Sequence, residues 1–302
     1  MKGIILLEII FAVFLATFTY SVEANYVKPF REMQQIYEAT FENKSIDIVT
    51  RIINGEIASE GQFPYQVRLL FYGSDNCTAR RLRCGGSIIA KNWVLTAGHC
   101  TAPTPGLMDT IFAIQIQAGL IIIDEPRQRK IVLVSNSFPH PEYNPTTLEN
   151  DLGLVKVDSY FDFSTPYVKP IPLVAANTDK ATYVGKIVTA SGFGYIENDG
   201  PVSNELRYTQ LKVIDFSTCQ QLYAGDTIAN SSFCAEGFGT PKGATCEGDS
   251  GGPITLLMNG KTIQIGLVSY SNGNGCDTAP GGYTNVAQFV PWIQKVMREN
   301  KY

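Results

Sequence analysis

The run Gly248-Asp249-Ser250-Gly251-Gly252-Pro253 puts a hydroxyl nucleophile into a backbone that can bend sharply. Glycines on both sides let amide N–H groups approach a reacting carbonyl with no Cβ in the way. A serine in such a turn presents its hydroxyl beside converging donors, as nucleophilic attack with oxyanion stabilisation requires. Serine attacks poorly at neutral pH unless a base takes its proton, and His99, in Val94-Leu95-Thr96-Ala97-Gly98-His99-Cys100, is the candidate base. Asp151, in Asn150-Asp151-Leu152-Gly153-Leu154, places a carboxylate inside an apolar strand pattern, where it could orient the imidazole and steady its charged form. The backbone N–H groups of Gly248 and Ser250 are the candidate oxyanion hole, a contribution commonly worth about 3 kcal/mol per donor.

These groups need a scaffold, and the chain spells out a β-rich one. Glycine and proline punctuate short β-branched and aromatic runs at Tyr65–Phe71, Ile111–Gln117, Lys130–Val134, Leu152–Val157 and Ile263–Tyr270. Val290, Ile293, Val296 and Met297 have helical spacing, with Pro291 in the tolerant first turn, so a helix closes the chain. The part after residue 51 of this 302-residue chain is long enough for one large β unit or two small barrels. A formal charge of −4 points to neither nucleic acid nor an anionic membrane surface.

At the N-terminus, Lys2 precedes an apolar stretch from Gly3 to Tyr20 and then Val22-Glu23-Ala24, the pattern of a secretory signal peptide over residues 1–24. An uncleaved signal anchor is the competing possibility, against which Glu8 argues. Residues 25–51 are polar, lack a core pattern and read as a propeptide. Seven cysteines in an exported chain suggest disulfides. Asn43, Asn76 and Asn230 head glycosylation acceptor sequences, Asn76 and Asn230 being the better placed. With two histidines in all, and His140 flanked by prolines in what reads as an exposed turn, no multi-histidine zinc site is expected. No metal and no cofactor is expected.

Further landmarks fall in order along the chain: Arg51-Ile52-Ile53-Asn54-Gly55, Cys84-Gly85-Gly86-Ser87, Ser191-Gly192-Phe193-Gly194, Ser269-Tyr270, Pro280-Gly281-Gly282-Tyr283 and Pro291-Trp292-Ile293. With the order histidine, aspartate, serine, they make residues 52–302 resemble the chymotrypsin-like secreted serine proteases. Two departures stand out, Phe193 where tryptophan is usual and Gly98 where alanine is usual.

The resemblance implies an all-β fold of two antiparallel six-stranded β-barrels with a C-terminal α-helix, the triad lying between the barrels. It implies the disulfides Cys84–Cys100, Cys219–Cys234 and Cys246–Cys276, each contributing roughly 2–4 kcal/mol. Cys77 is then left over, either as a free or capped thiol or bonded to another chain. No cysteine lies between Asn25 and Arg51, so no disulfide would tether a released propeptide. Cleavage after Arg51 by a trypsin-like enzyme would free the Ile52 ammonium to pair with Asp249 and order the site. Ser269 would support Asp151 by a hydrogen bond.

Counting back from Cys246, Ala244 stands at the pocket floor where trypsin-like enzymes carry aspartate, with Thr245 beside it and Gly281 as a wall glycine leaving room for a side chain. Tyr270 and Ser271 complete the frame, Ser271 standing where a glycine is usual and narrowing the entrance. With no carboxylate at the floor, an arginine or lysine would bury an unpaired charge, so aromatic or large apolar residues are the expected preference, with elastase-like specificity the alternative. Glu247 is expected at the rim, and Arg80, Arg81 and Arg83 border the leaving-group side, as a solvated cluster or as a preference for acidic residues. The calcium-binding loop of some relatives is short here, with Asp124 and Glu125 its nearby acids, and Arg127-Gln128-Arg129-Lys130 reads as an exposed hairpin or a self-cleavage-sensitive loop rather than a binding patch.

Together these readings expect a secreted zymogen of a serine endopeptidase. Its expected partners are protein or peptide substrates, a trypsin-like activating protease and protein protease inhibitors. It would act as a monomer, without nucleic acid or membrane. A non-catalytic protease homologue serving as a cascade cofactor or binding protein is the rival from another class, and such homologues usually lose a triad member that this chain keeps.

Overall fold

Runs such as Val67, Leu69 and Phe71, ended by glycine, proline or asparagine, pair into antiparallel ladders that make up most of the regular structure among the described residues. The computed structural model describes residues 52–73, 79–102, 111–198, 200–223, 228–271 and 275–301, with the side chains of 79–82 excepted. The expected signal peptide and propeptide, Arg51, Asn43, Asn76 and Cys77 lie outside these residues.

The described strands form two sheets, drawn from the two halves of the chain except for β1 (Glu56–Ile57), which belongs to the second. The first comprises β2 (Gln66–Gly73), β3 (Ala79–Ala90), β4 (Trp93–Thr96), β5 (Ile111–Ala118), β6 (Gln128–Leu133), β7 (Ser137–Pro139) and β8 (Gly153–Lys156), in the order β6-β5-β2-β3-β4-β8-β7. The second comprises β1 (Glu56–Ile57), β9 (Ile187–Gly192), β10 (Arg207–Ile214), β11 (Ser232–Gly237), β12 (Pro253–Met258), β13 (Lys261–Tyr270) and β14 (Gly281–Asn285). Pairing of β10 with β9 closes six of these strands into a barrel, while β1 adds to β10 from outside.

The first sheet differs from the expected six-stranded barrel. It is a half-barrel of seven strands, with no ladder joining β6 to β7 among the described residues. Its last strand is three residues long and ends in Pro139, which has no N–H to extend pairing.

The half-barrel buries Val67, Leu69, Phe71, Ile88, Val94, Ile114 and Val155. The barrel core, with Val188, Leu211, Phe233, Ile254 and Leu267, takes in Trp93, Leu95, Leu152 and Leu154 from β4 and its neighbours. The two halves therefore share apolar packing. They also share a buried polar seam: Ser191 Oγ donates to Gln66 Oε1 at 2.7 Å, and Ser87 Oγ donates to Gln264 Oε1 at 2.6 Å. The Gly85 amide donates to the Ser250 carbonyl at 2.7 Å, so the backbone on either side of the cleft is joined directly.

Among the described residues two α-helices complete the fold. Helix α1 (Phe216–Leu222), which the periodicity did not signal, starts at Asp215, whose carboxylate accepts from the Ser217 amide at 2.9 Å. Helix α2 (Val290–Glu299) has Pro291 in its first turn and buries Val290 and Ile293. His140 is half-buried rather than exposed: its ring packs on Phe289 and Trp292 at centroid distances of 5.3 and 5.0 Å, and burial lowers its pKa. Gln128–Lys130 form the returning arm of the β5–β6 hairpin, with Arg127 and Arg129 exposed and Arg127 stacked 3.8 Å over the Tyr167 ring.

Candidate active site

Pairing of β4 with β8 places Thr96 opposite Gly153, which brings the residues just beyond each strand together. His99 lies in the single 3-10 turn Gly98–Cys100 after β4, and Asp151 lies two residues before β8. The Cys84–Cys100 disulfide fastens the histidine turn to β3. Asp151 is fully buried and holds His99 twice: Oδ1 accepts from the His99 amide at 2.8 Å, and Oδ2 meets the ring Nδ1 at 2.9 Å. Ser269 Oγ donates to the same Oδ2 at 2.5 Å, and Thr284 Oγ1 donates to the Asp151 carbonyl at 2.7 Å.

Burial works against both charges, but the pair prevails over it. His99 titrates above an ordinary imidazole because the Asp151 carboxylate outweighs its desolvation. Asp151 titrates below an ordinary carboxylate because His99 and the Ser269 hydroxyl outweigh its own burial. Gly98 fits a crowded point: a Cβ there would lie 3.0 Å from the Leu152 amide, 3.1 Å from Asp151 Oδ1 and 3.1 Å from the Tyr143 ring.

Ser250 comes from the other half, in the turn that leads into β12. Gly248 has φ +92° and Gly251 φ +76°, conformations that favour glycine. The turn is fixed by the Asp249 amide donating to the Cys246 carbonyl at 3.0 Å, Gly252 N to Asp249 O at 2.8 Å and Gly251 N to Val268 O at 2.7 Å. Among the described residues the amides of Gly248 and Ser250 have no acceptor, which leaves two adjacent donors for an incoming oxygen. His99, Gly248 and Ser250 line one cleft of about 530 Å³, walled by Arg83, Glu247, Tyr195 and the segment Gly200–Val202. Tyr195 and Gly200–Val202 were not singled out from sequence, since nothing local marks a loop that folds over a distant serine.

Asp249 is buried beneath this turn. Its Oδ1 accepts from the Gly194 amide at 2.8 Å and its Oδ2 from the Cys246 amide at 3.0 Å. Even so, desolvation outweighs these two bonds and pushes its carboxyl up to about 7. Ile52 is wholly buried, and the next residue bridges to Ala244, whose amide donates to the Ile53 carbonyl at 3.1 Å.

Around the floor, Thr245 is buried and its hydroxyl lies 3.1 Å from the Tyr283 phenol. That phenol lies where a Cβ at Gly281 would sit, so position 281 has no space for a side chain of its own. The Tyr270 ring lies against Gly282 in the same way, its hydroxyl 2.9 Å from Ser232 Oγ. Ser271 is half-buried with its hydroxyl 4.0 Å from Cys276 Sγ. The bonds Cys246–Cys276 and Cys219–Cys234 both lie within the barrel half. Asn230 is exposed in a turn, and Asp124 pairs with Arg68 at 3.4 Å. Among the described residues the one tight group of potential metal-binding atoms is Cys84, His99 and Cys100, whose sulfurs are joined to each other.

A model of the Trypsin family matches residues 52–293. The chain is 34% identical to Serine protease SP24D of Anopheles gambiae over 82% of each chain. It is 34% identical to Chymotrypsin-2 of Vespa crabro, over 81% of this chain and 99% of that one. Some relatives are far longer, and the chain spans as little as 14% of their length. A solved structure of HL collagenase superposes with a TM-score of 0.68 at 30% identity, covering 82% of this chain and 98% of its own.

Proposed function

Because this chain belongs to the Trypsin family of serine proteases and is a serine endopeptidase, we propose that His99, Asp151 and Ser250 carry its chemistry. The observation that most favours this is the double hold of Asp151 on His99 in the cleft that Ser250 shares. Ser250 Oγ attacks the scissile carbonyl while His99 Nε2 takes its proton. Asp151 keeps the proton-bearing Nδ1 turned inward and offsets the imidazolium charge as it forms. The amides of Gly248 and Ser250 receive the oxyanion, and His99 returns the proton to the leaving amine. Water then repeats the sequence on the acyl-enzyme.

The enzyme is made as a secreted zymogen. A trypsin-like protease cuts after Arg51, and the new Ile52 ammonium supplies the counter-charge for Asp249. The pocket of Ala244, Thr245, Ser269, Tyr270, Ser271 and Gly281 takes aromatic or large apolar side chains. Substrates are proteins or peptides, and protein inhibitors compete for the same cleft. Asn230 is the exposed acceptor for a glycan.

A fluorophosphonate tests the core of this reading. Protein cleaved after Arg51 is expected to be labelled stoichiometrically at Ser250, and Ser250→Ala to lose both label and activity. Cleaved, folded wild type that stays unlabelled would instead identify a non-catalytic homologue.

A further inference from the structure

We infer that Arg207 is a positioning residue for activation, fastening the segment Ile52–Ile57 to the turn that receives Asp249. This rests on the reading of Ile52 and Asp249 as the activation lock and adds the group that couples them through the fold.

Arg207 opens β10 and is 1% exposed, among the largest fully buried side chains in the molecule. A guanidinium cannot shed its charge, so its burial is tolerable only where acceptors meet it. One acceptor is the Gly55 carbonyl, 3.0 Å from Nη1, within the segment that begins at the cleavage point. Another is Glu205, whose Oε2 lies 3.4 Å from Nη2. The same segment runs alongside β10, with Ile57 opposite Arg207 and Glu56 opposite Tyr208, and the Tyr208 phenol donates to Glu56 Oε2 at 2.5 Å. Gly55 must be glycine for this approach, since a Cβ there would come within 2.8 Å of the Tyr208 carbonyl.

From Glu205 the contacts continue toward the active site. The Glu205 amide donates to Ser203 Oγ at 3.2 Å, the Ser203 amide donates to the Gly194 carbonyl at 3.0 Å, and the Gly194 amide donates to Asp249 Oδ1 at 2.8 Å. A continuous set of hydrogen bonds thus links the activation segment to the carboxylate that anchors the Gly248 turn. When the segment leaves its place, Arg207 loses the Gly55 carbonyl and Glu205 is freed to move. Docking of the segment and ordering of the Asp249 turn are therefore favoured together, and Arg207 strengthens the docked state.

The test reads insertion of the new terminus directly. Mature wild type, Arg207→Lys, Arg207→Gln and Glu205→Gln are treated with cyanate, which carbamylates an exposed α-amine. Modification of Ile52 is followed by mass spectrometry alongside kcat and KM. Arg207→Gln is expected to be modified about tenfold faster than wild type, with a similar loss of kcat/KM, because a charge-assisted bond has gone. Arg207→Lys, which keeps a cationic donor, is expected to recover most of the protection. If Arg207→Gln cannot be recovered folded, Glu205→Gln carries the test, with about threefold faster modification expected. Wild-type cyanate protection in the variants overturns the role of Arg207. An Ile52 amine that is unprotected in mature wild type overturns the lock itself, a different failure with a different signature.

Discussion

The carboxylate of Asp151 grips His99 through both of its oxygens, one on the backbone amide at 2.8 Å and one on the ring Nδ1 at 2.9 Å. The first contact fixes where the histidine turn sits, and the second fixes how its ring faces. Losing charge at this single side chain should therefore disturb chemistry while leaving the turn in place. In Asp151→Asn the side-chain oxygen can still accept from the His99 amide, but the NH₂ opposes the ring N–H and turns the tautomer. We expect kcat to fall about 10⁴-fold. The half-point of the acid limb of kcat/KM should move to lower pH, because Asp151 is what holds His99 above the ordinary imidazole range. A pH–rate profile of the variant checks both, and an unmoved acid limb would count against this electrostatic account.

Asp249 predicts how the uncleaved chain responds to pH. Burial pushes its carboxyl up to about 7 from an unperturbed value of 3.8. Between those values the folded chain keeps a proton that the unfolded chain has released, so stability falls as pH rises and the loss is complete above the upper value. It amounts to up to about 4 kcal/mol. In the uncleavable Arg51→Gln background, Asp249→Asn is expected to remove this decline and raise neutral-pH stability. After cleavage in the wild-type background, the same substitution is expected to leave the enzyme weakly active. Denaturant unfolding at pH 4.5 and 7.5 reads the first effect, and equal slopes with and without Asp249 would contradict it.

Gly194 offers a steric route to the same point. A Cβ there would sit 2.5 Å from both the Asp249 Cγ and its Oδ2, and nothing in its own backbone conformation forbids alanine. Gly194→Ala should displace the carboxylate and the Gly248 amide with it. We expect processing after Arg51 to proceed normally while kcat/KM drops at least about a hundredfold, as removal of an oxyanion donor does. Near-wild-type turnover in this variant would mean the Asp249 turn tolerates displacement.

Specificity should follow the uncharged floor. Peptides with Phe, Tyr or Leu before the scissile bond are expected to be cut far faster than those with Arg or Lys, since each ~1.4 kcal/mol of uncompensated charge burial is about tenfold in rate. Ala244→Asp is expected to raise arginine cleavage without reaching the rates of a trypsin, because Tyr283 and Thr245 still fill the floor. If Ser271 narrows the entrance, Ala and Val outrank Phe, and Ser271→Gly restores aromatic cleavage. A peptide-library cleavage profile separates these outcomes, and preference for Arg in wild type would place the floor elsewhere.

The Ser250 turn was legible in sequence because its demands are local: glycines at positive φ leave a mark whatever surrounds them. Most strands were legible too, since the runs at Gln66–Gly73 and Ile111–Ala118 carry their own pattern. What escaped notice depends on distant partners. Thr284 and Tyr283 reach Asp151 and Thr245 only because β14 is threaded beside β13 and β11. Arg207 reads as an ordinary charge in an alternating strand until Gly55 covers it. His140 looked exposed between its prolines because the rings that cover it come from the far end of the chain. Closure of one sheet but not the other is set by which edges meet, a property of neither edge alone.

The three disulfides also divide the molecule. Cys84–Cys100 closes a loop within the half-barrel, and the other two close loops within the barrel. Among the described residues no such bond crosses from one half to the other. What joins the two halves is the shared apolar packing and the seam of Gln66 with Ser191, Ser87 with Gln264 and Asp151 with Ser269. Residues 58–65 join β1 of the barrel sheet to β2 of the half-barrel, and the second bridge between the halves, from β8 to β9, is residues 157–186. One cut in this second bridge would turn a unimolecular enzyme into a two-part assembly. Its activity would then fall on dilution and return on concentration, governed by mass action.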